Sequence, residues 1–436
     1  MFRKIYSNIG GSLLFRSFGV VFTLLLNFVI AKLCGSEGYG LFYQGLAIFT
    51  IITVLSRFGL DNFSLIKVSE HFSKANYTEI NLLLKKIYTF LLPVIALIVL
   101  IFLLSADFIA NNYYKDPKLA TPIRLFSLAF IPFVLLQINS ESLKGITKIK
   151  LSSFLQGFLP NALTLILGIL FYYLFFDTVI GFISAYVLSF WVVFALSLFN
   201  IKQNLSRYKL GFVKFSVKLK ELLRSTKTFW LIASLSVIST NLDAIVLGYF
   251  LESNIVGIYG AAAKVSLIIS FILPSINSAM APEFVKNFVK KDYITLGKLA
   301  NKSSMLMSIF SLPLALILTI FSSEIMGLFG KEFSNGGIIL AILSWGQFFN
   351  AVTGSVGYLL MSAHLEKFLL LSLIYSLFIS LVLSIILIPI YGIIGAAISV
   401  AFSIAFQNLY SSYICYKKLS IVPLFFIKNH KNEYKK

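Results

Sequence analysis

The chain has 436 residues, of which 58% are hydrophobic and only 12% charged, and its mean hydropathy is +0.90. Soluble domains carry about 45–50% apolar and about 25% charged residues, so this composition excludes a soluble globular protein and indicates a polytopic membrane protein. The net charge of +20 does not read as a nucleic-acid footprint, because the basic residues gather in alternate connectors between apolar runs.

The apolar runs place spans, in chain order, at residues 9–33, 41–63, 83–106, 119–140, 151–175, 178–200, 227–250, 256–280, 303–325, 335–362, 367–388 and 392–416. A helix needs about 20 apolar residues to cross the bilayer, and only helices or closed barrels satisfy their backbone groups in lipid. The ten-residue alternation of a barrel is absent, so the expected class is an all-α polytopic protein with about 12 transmembrane helices. Met1-Phe2-Arg3-Lys4 leads into the first run without a small-x-small site, which reads as an uncleaved first span. Pro93, Pro132, Pro160, Pro274, Pro313 and Pro389 are the expected kink positions.

Lys and Arg crowd the N-tail, 64–82, 141–150, 201–226, 281–302 and the C-tail, which predicts those connectors and both termini to be cytoplasmic. The expected organisation is a six-helix lobe (1–200), a basic linker (201–226), a second six-helix lobe (227–416) and a basic tail (417–436). The linker interleaves Arg207, Lys209, Lys214 and Lys218 with Phe212 and Phe215, a pattern suited either to an anionic lipid surface or to a solvated connector. Cys34 and Cys415 are the only cysteines, and this topology puts them at opposite faces, too far apart to bridge.

An internal repeat supports two lobes. Gly35-Ser-Glu-Gly-Tyr-Gly-Leu-Phe42 joins the first two spans, and Glu252-Ser-Asn-Ile-Val-Gly-Ile-Tyr259 joins the seventh and eighth. Both copies have the same orientation, so the repeat is parallel.

Arg16, Arg57 and Lys264 lie inside spans, where a cation costs at least about 2.5–3.5 kcal/mol and usually faces a cavity or a partner. At 1.5 Å per residue, Arg16 sits about 10 Å from the inner end of its span and Arg57 at similar depth, with Asp61 at i,i+4 as a charge partner. Asp243 and Lys264 fall at matching depth near the outer face, as a structural pair or a coupling site. In the repeat, Arg57 aligns with Pro274, Lys264 with Ala47, Arg16 with Ala233 and Asp243 with Leu26. A pair that the fold required would be expected in both halves, so the asymmetry favours ligand contact. His71, His364 and His430 lie apart, and no metal spacing, Ser-His-Asp set, CxxC or P-loop occurs, so no metal, cofactor or catalytic role is expected.

Several of these segments resemble the multidrug/oligosaccharidyl-lipid/polysaccharide (MOP) exporter superfamily, and in particular its Wzx-type polysaccharide and O-antigen flippases. Ala31-Lys-Leu-Cys-Gly-Ser-Glu-Gly-Tyr-Gly-Leu-Phe42 is similar to the family's A-R-x-L-G-x-x-x-Y-G-x-F, with Lys32 and Cys34 in place of the usual Arg and Leu. Arg57-Phe-Gly-Leu-Asp61, Asn241-Leu-Asp-Ala-Ile-Val-Leu-Gly248, and Leu387-Ile-Pro-Ile-Tyr-Gly-Ile-Ile-Gly-Ala-Ala397 follow in the family's order. The related lipid II flippases usually carry two further spans. The resemblance implies two parallel six-helix lobes and alternating access. It also implies transfer of an undecaprenyl-diphosphate-linked oligosaccharide across the bacterial inner membrane for O-antigen, capsule or exopolysaccharide synthesis. Arg16, Arg57 and Lys264 would then contact diphosphate or sugar. Expected partners are the lipid-linked oligosaccharide, membrane lipids, a polysaccharide polymerase and a chain-length regulator, with no nucleic acid. The alternatives are a MATE-like cation-coupled exporter of small molecules and a non-transporting scaffold of polysaccharide assembly.

Overall fold

A computed structural model describes residues 2–176, 178–205 and 219–424. The basic stretch 206–218 of the linker and the tail from 425 onward, including His430, lie outside the described residues. Among the described residues every regular element is helical. Among the described residues nine helices are long and apolar enough to cross a membrane, and two bent pairs, Pro117–Leu128 with Phe130–Gly145 and Thr226–Ser239 with Leu242–Phe250, bring the number to eleven. The 43-residue segment Leu14–Ser56 holds two of the expected spans, because it breaks at Gly35. Counted that way, the described helices supply the twelve spans expected from hydropathy.

Gly35 has φ 68° and ψ −176°, a conformation essentially reserved for glycine, and the chain reverses there. The Tyr39 hydroxyl donates to Asn27 Oδ1 at 2.7 Å. In a continuous helix their Cα atoms would be about 18 Å apart, beyond the reach of both side chains together. The repeat puts Glu252 opposite Gly35, and there too the helix breaks, with Leu251 and Glu252 both extended at ψ 154°. Phe42 and Tyr259, the aligned aromatics, are both fully buried. The second break uses two extended residues and so needs no glycine.

The expected connectors are shorter in the structure, because helices run through them. The segment predicted as a basic connector at 64–82 contains the end of the helix Leu60–Ser73 and the start of Tyr77–Phe108. Residues 141–145, also assigned to a connector, are the last turn of Phe130–Gly145. Charge density marks the ends of these helices, while local hydrogen bonding carries the helix past the apolar part. Of the prolines, Pro132, Pro160 and Pro274 open helices that follow a break, whereas Pro93, Pro313 and Pro389 sit inside helices.

The chain divides into two compact units, residues 1–237 and 238–436. The first is built around aromatic rings: Phe49 stacks on Phe130 at 5.2 Å and meets Phe126, Phe133 and Tyr186. Aromatic pairs in these geometries add about 0.5–1.5 kcal/mol beyond burial. The second unit relies on small side chains instead. Ser372, Ser376, Ser380 and Ser384 recur every fourth residue on Glu366–Tyr391, and all are buried. Gly395, Ser399 and Ser403 repeat the spacing on Ile393–Leu419, and Ser376 Oγ donates to the Ser403 carbonyl at 2.9 Å. Small residues at this period let membrane helices approach closely. Gly392, at φ 58°, joins the two helices, and its N–H donates to the Ile388 carbonyl at 2.8 Å.

Candidate functional site

In the first unit, charged and amide side chains from four helices gather at one pole. The second span ends at Ser56, and Phe58 (φ 50°) and Gly59 (φ 72°) turn the chain before it restarts at Leu60. A broken helix leaves carbonyls without intrahelical partners. Here Trp230 Nε1 donates to the Leu55 carbonyl at 3.2 Å, and Thr226 Oγ1 donates to the Phe58 carbonyl at 3.0 Å. Gly59 permits that approach, since a Cβ there would stand 3.0 Å from Trp230 Cβ and 3.1 Å from Thr226 Cβ.

Arg57 projects from this turn. Its Nε donates to the Thr53 carbonyl at 3.2 Å, and Nη1 donates to Asp61 Oδ2 at 2.9 Å. Both side chains of the pair are largely covered, at 15% and 17% exposure. A guanidinium has five N–H donors, so this anchoring fixes the plane of the fork and leaves three donors for another acceptor.

Glu141 is electrostatically coupled to Arg57 and pairs with Lys144 one turn along its own helix. Lys144 Nζ also donates to Gln156 Oε1 at 3.2 Å, and Gln156 Nε2 donates to Gln137 Oε1. Gln156 lies in a π-helical turn, Phe154–Phe158, a distortion that re-aims side chains and is frequent at functional sites. Sequence reasoning assigned Lys144 to a basic connector and passed over Gln137, Glu141 and Gln156. The signal available was the acid-base spacing of Glu141 and Lys144 beside an apolar run.

Arg16 comes to the same turn from the first span. Phe15 packs edge-to-face on Phe154 at 5.2 Å, and Phe22 on Phe158 at 5.1 Å. The helices touch at Gly19, where a Cβ would lie 2.7 Å from the Gly157 carbonyl oxygen. Asn161 Nδ2 ties them by donating to Thr23 Oγ1 at 2.9 Å. Arg16 itself is exposed and makes no hydrogen bond or ion pair among the described residues. The pole therefore brings Arg57 and Lys144 together with Asp61 and Glu141, and the span that carries Arg16 packs on its π-helical turn. Among the described residues, Asp61 is matched by Arg57 and Glu141 by Lys144.

Asp243 and Lys264 lie in the second unit. Asp243 opens the helix Leu242–Phe250, is buried, and accepts from the Ala244 N–H at 2.9 Å. Lys264 is half-buried in the last turn of Ser253–Ser266 and is electrostatically coupled to Asp243. An acid at a helix start and a base at a helix end both complement the backbone dipoles. Other embedded polar residues join helices: Asn408 Nδ2 donates to Asn350 Oδ1 at 3.1 Å, and Ser270 Oγ donates to Gln347. Among the described residues, no group of three or more His, Cys, Asp or Glu is placed to hold a metal.

A family profile described as "Polysaccharide biosynthesis protein" matches residues 5–288, and a second, "MatE", matches residues 231–390. No curated protein matches the chain. Among solved structures, "Lipid II flippase MurJ, inward closed conformation" is similar at 15% identity and TM-score 0.76, over 92% of this chain and 87% of that one. An inward-facing multidrug resistance MATE family transporter of the MOP superfamily gives 15% identity and TM-score 0.77, over 92% and 94%. The Vibrio cholerae MATE transporter VcmN in its bent form gives 16% identity and TM-score 0.62, over 95% and 98%. At these identities the likeness is one of fold, shared with the MurJ and MATE structures.

Proposed function

We propose, from the premise that the chain belongs to the polysaccharide biosynthesis protein family, that it carries an undecaprenyl-diphosphate-linked oligosaccharide across the bacterial cytoplasmic membrane. The observation that carries this reading is the polar pole of the first unit, where Thr53 and Asp61 orient the fork of Arg57 and the first span, with Arg16 exposed on it, packs on the π-helical turn. A planar fork suits a diphosphate, and a charge in a low-dielectric setting binds an anion more strongly than one in water. On this reading the pole faces the cytoplasm with both termini, the diphosphate docks on Arg16 and Arg57, and Lys264 meets phosphate or sugar later in the cycle. The site is then exposed to the two leaflets in turn. The name of the MurJ neighbour, a lipid II flippase, describes a lipid-linked saccharide of the same chemical class.

The test is accumulation of cytoplasm-facing lipid-linked oligosaccharide in cells lacking the chain, with rescue by the wild type. Neutralising Arg16 and Arg57 together abolishes rescue. Full polysaccharide export by that variant, at normal protein level, overturns the reading.

A second reading, a cation-coupled exporter of small molecules, draws on the MatE match over residues 231–390 and on the buried Asp243 within it. It requires Asp243→Asn to abolish drug efflux in cells and Arg16→Ala to leave it intact.

A further inference from the structure

Directly beside the Arg57 turn lies an apolar groove of about 260 Å³. Leu55 and Phe58 form one wall, Ile98, Ile101 and Phe102 of the third span the other, and Trp230 closes one side. Its one small polar lining residue, Ser56, turns its hydroxyl to the Thr53 carbonyl. Ile101 is 51% exposed, and its neighbours Leu97 and Leu104 are 58% and 75% exposed, so the groove opens on a face of the third span fit for hydrocarbon. Its depth follows from the helices. Ile52, another lining residue, is 17 positions past Gly35, about 25 Å along the span, whereas Phe58 is at the turn that carries Arg57. The groove thus starts at the level of the guanidinium and runs away from it toward the middle of the bilayer.

A cation at one end of an apolar slot is the complement of an amphiphile with a phosphate head and a hydrocarbon chain. We propose that this groove holds the first isoprene units of the substrate's polyprenyl chain while the diphosphate sits on Arg16 and Arg57. The proposal rests on the reading of function given above and names where the lipid part of that substrate lies. The wall geometry fits this occupant. Trp230 is fixed by its bond to the Leu55 carbonyl, and Phe58 meets Phe90 at 5.9 Å and Trp230 at 5.8 Å, so the slot is a preformed surface. An ordinary phospholipid would meet the same apolar walls, so the experiment must separate the two chains.

The full chain in lipid nanodiscs is irradiated with a polyprenyl diphosphate bearing a diazirine in the isoprene unit nearest the phosphate. Adducts are expected on the third span at Ile98, Ile101 or Phe102. Unlabelled polyprenyl diphosphate should compete them away, and a tenfold change in phospholipid content should not. Ile101→Trp, which fills the groove, is expected to weaken polyprenyl diphosphate binding at least fivefold. The same variant should leave binding of geranyl diphosphate, whose chain is short, within twofold of wild type. Competition by phospholipid, adducts confined to other helices, or unchanged binding by Ile101→Trp each overturn the groove. If geranyl diphosphate binding also fails to depend on Arg16 and Arg57, the reading of function falls with it. If that dependence holds while the adducts lie elsewhere, only the groove is lost.

Discussion

The Arg57 guanidinium lies 2.9 Å from the Asp61 carboxylate, four residues on, across a turn that interrupts the helix between them. The pair serves two purposes at once. It neutralises a cation that would be costly in hydrocarbon, and with the Thr53 carbonyl it holds the guanidinium plane in one orientation.

Arg57→Ala leaves Asp61 largely covered and unmatched, so the variant should lose about 1–3 kcal/mol of stability. The double variant Arg57→Ala/Asp61→Ala should recover part of that loss and none of the transport. Thermal unfolding in nanodiscs, set out as a double-mutant cycle, should give a coupling of about 0.5–3 kcal/mol. A coupling of zero would mean that the pair does not act as a unit.

Arg16 behaves differently because no described partner is left behind when it is removed. Arg16→Ala should change stability by less than about 0.5 kcal/mol, as substitutions at exposed sites usually do. Export should nevertheless fall at least tenfold in a complementation assay with matched protein levels. Normal export would remove Arg16 from the dock.

Gly35 combines φ 68° with ψ −176°, a region where any Cβ is strained. Gly35→Ala should cost about 1–3 kcal/mol. Glu252→Ala, at the equivalent break in the second unit, has φ −65° and should cost much less. Melting temperatures of the two variants check the contrast, and equal losses would contradict it.

Hydrogen bonds from Lys67 and then Lys74 hold the Glu70 carboxyl down at about 2, from an ordinary value of 4.5. Because the folded value lies below the unfolded one, the contribution is complete above about pH 4.5 and disappears as pH falls toward about 2. The difference in melting temperature between wild type and Glu70→Gln should therefore be constant from pH 7 to about 4.5 and shrink below. Being an exposed cluster, it should give a small difference that salt reduces.

Cys34 is partly exposed and Cys415 is buried, and neither is in a disulfide among the described residues. On the proposed topology, a membrane-impermeant maleimide added to intact cells labels Cys34 alone. Labelling of Cys34 only after the cells are opened would invert the topology.

Hydropathy alone placed the spans, since apolar length is a local property and each helix satisfies its own backbone. The join between the first two spans was also legible, because the segment from Gly35 to Phe42 separates two apolar runs and recurs between the seventh and eighth, but that Gly35 alone makes the break was not. The Arg57–Asp61 contact followed from spacing. The rest of the pole was not legible, for Glu141 meets Arg57 from 84 positions away, and Gln156 reaches Lys144 only through a π-helical turn that no local pattern announces. Arg16 reads as an intramembrane cation in sequence, but its lack of a described partner is a tertiary fact.

The buried serines of the last two spans bear on a different matter, the choice of alignment. A seam of small side chains repeating every fourth residue looks the same after a slide of one turn, about 6 Å. Ser380 could then take the place of Ser376 opposite the Ser403 carbonyl, at little cost in packing. Such a seam is sticky but indifferent to where it stops. Gly392 removes the indifference, since a reversal made by one residue at φ 58° admits a single alignment of the two helices. The stickiness of this hairpin thus comes from serine and its address from one glycine, and a few residues inserted after Tyr391 would leave two addresses where there is now one.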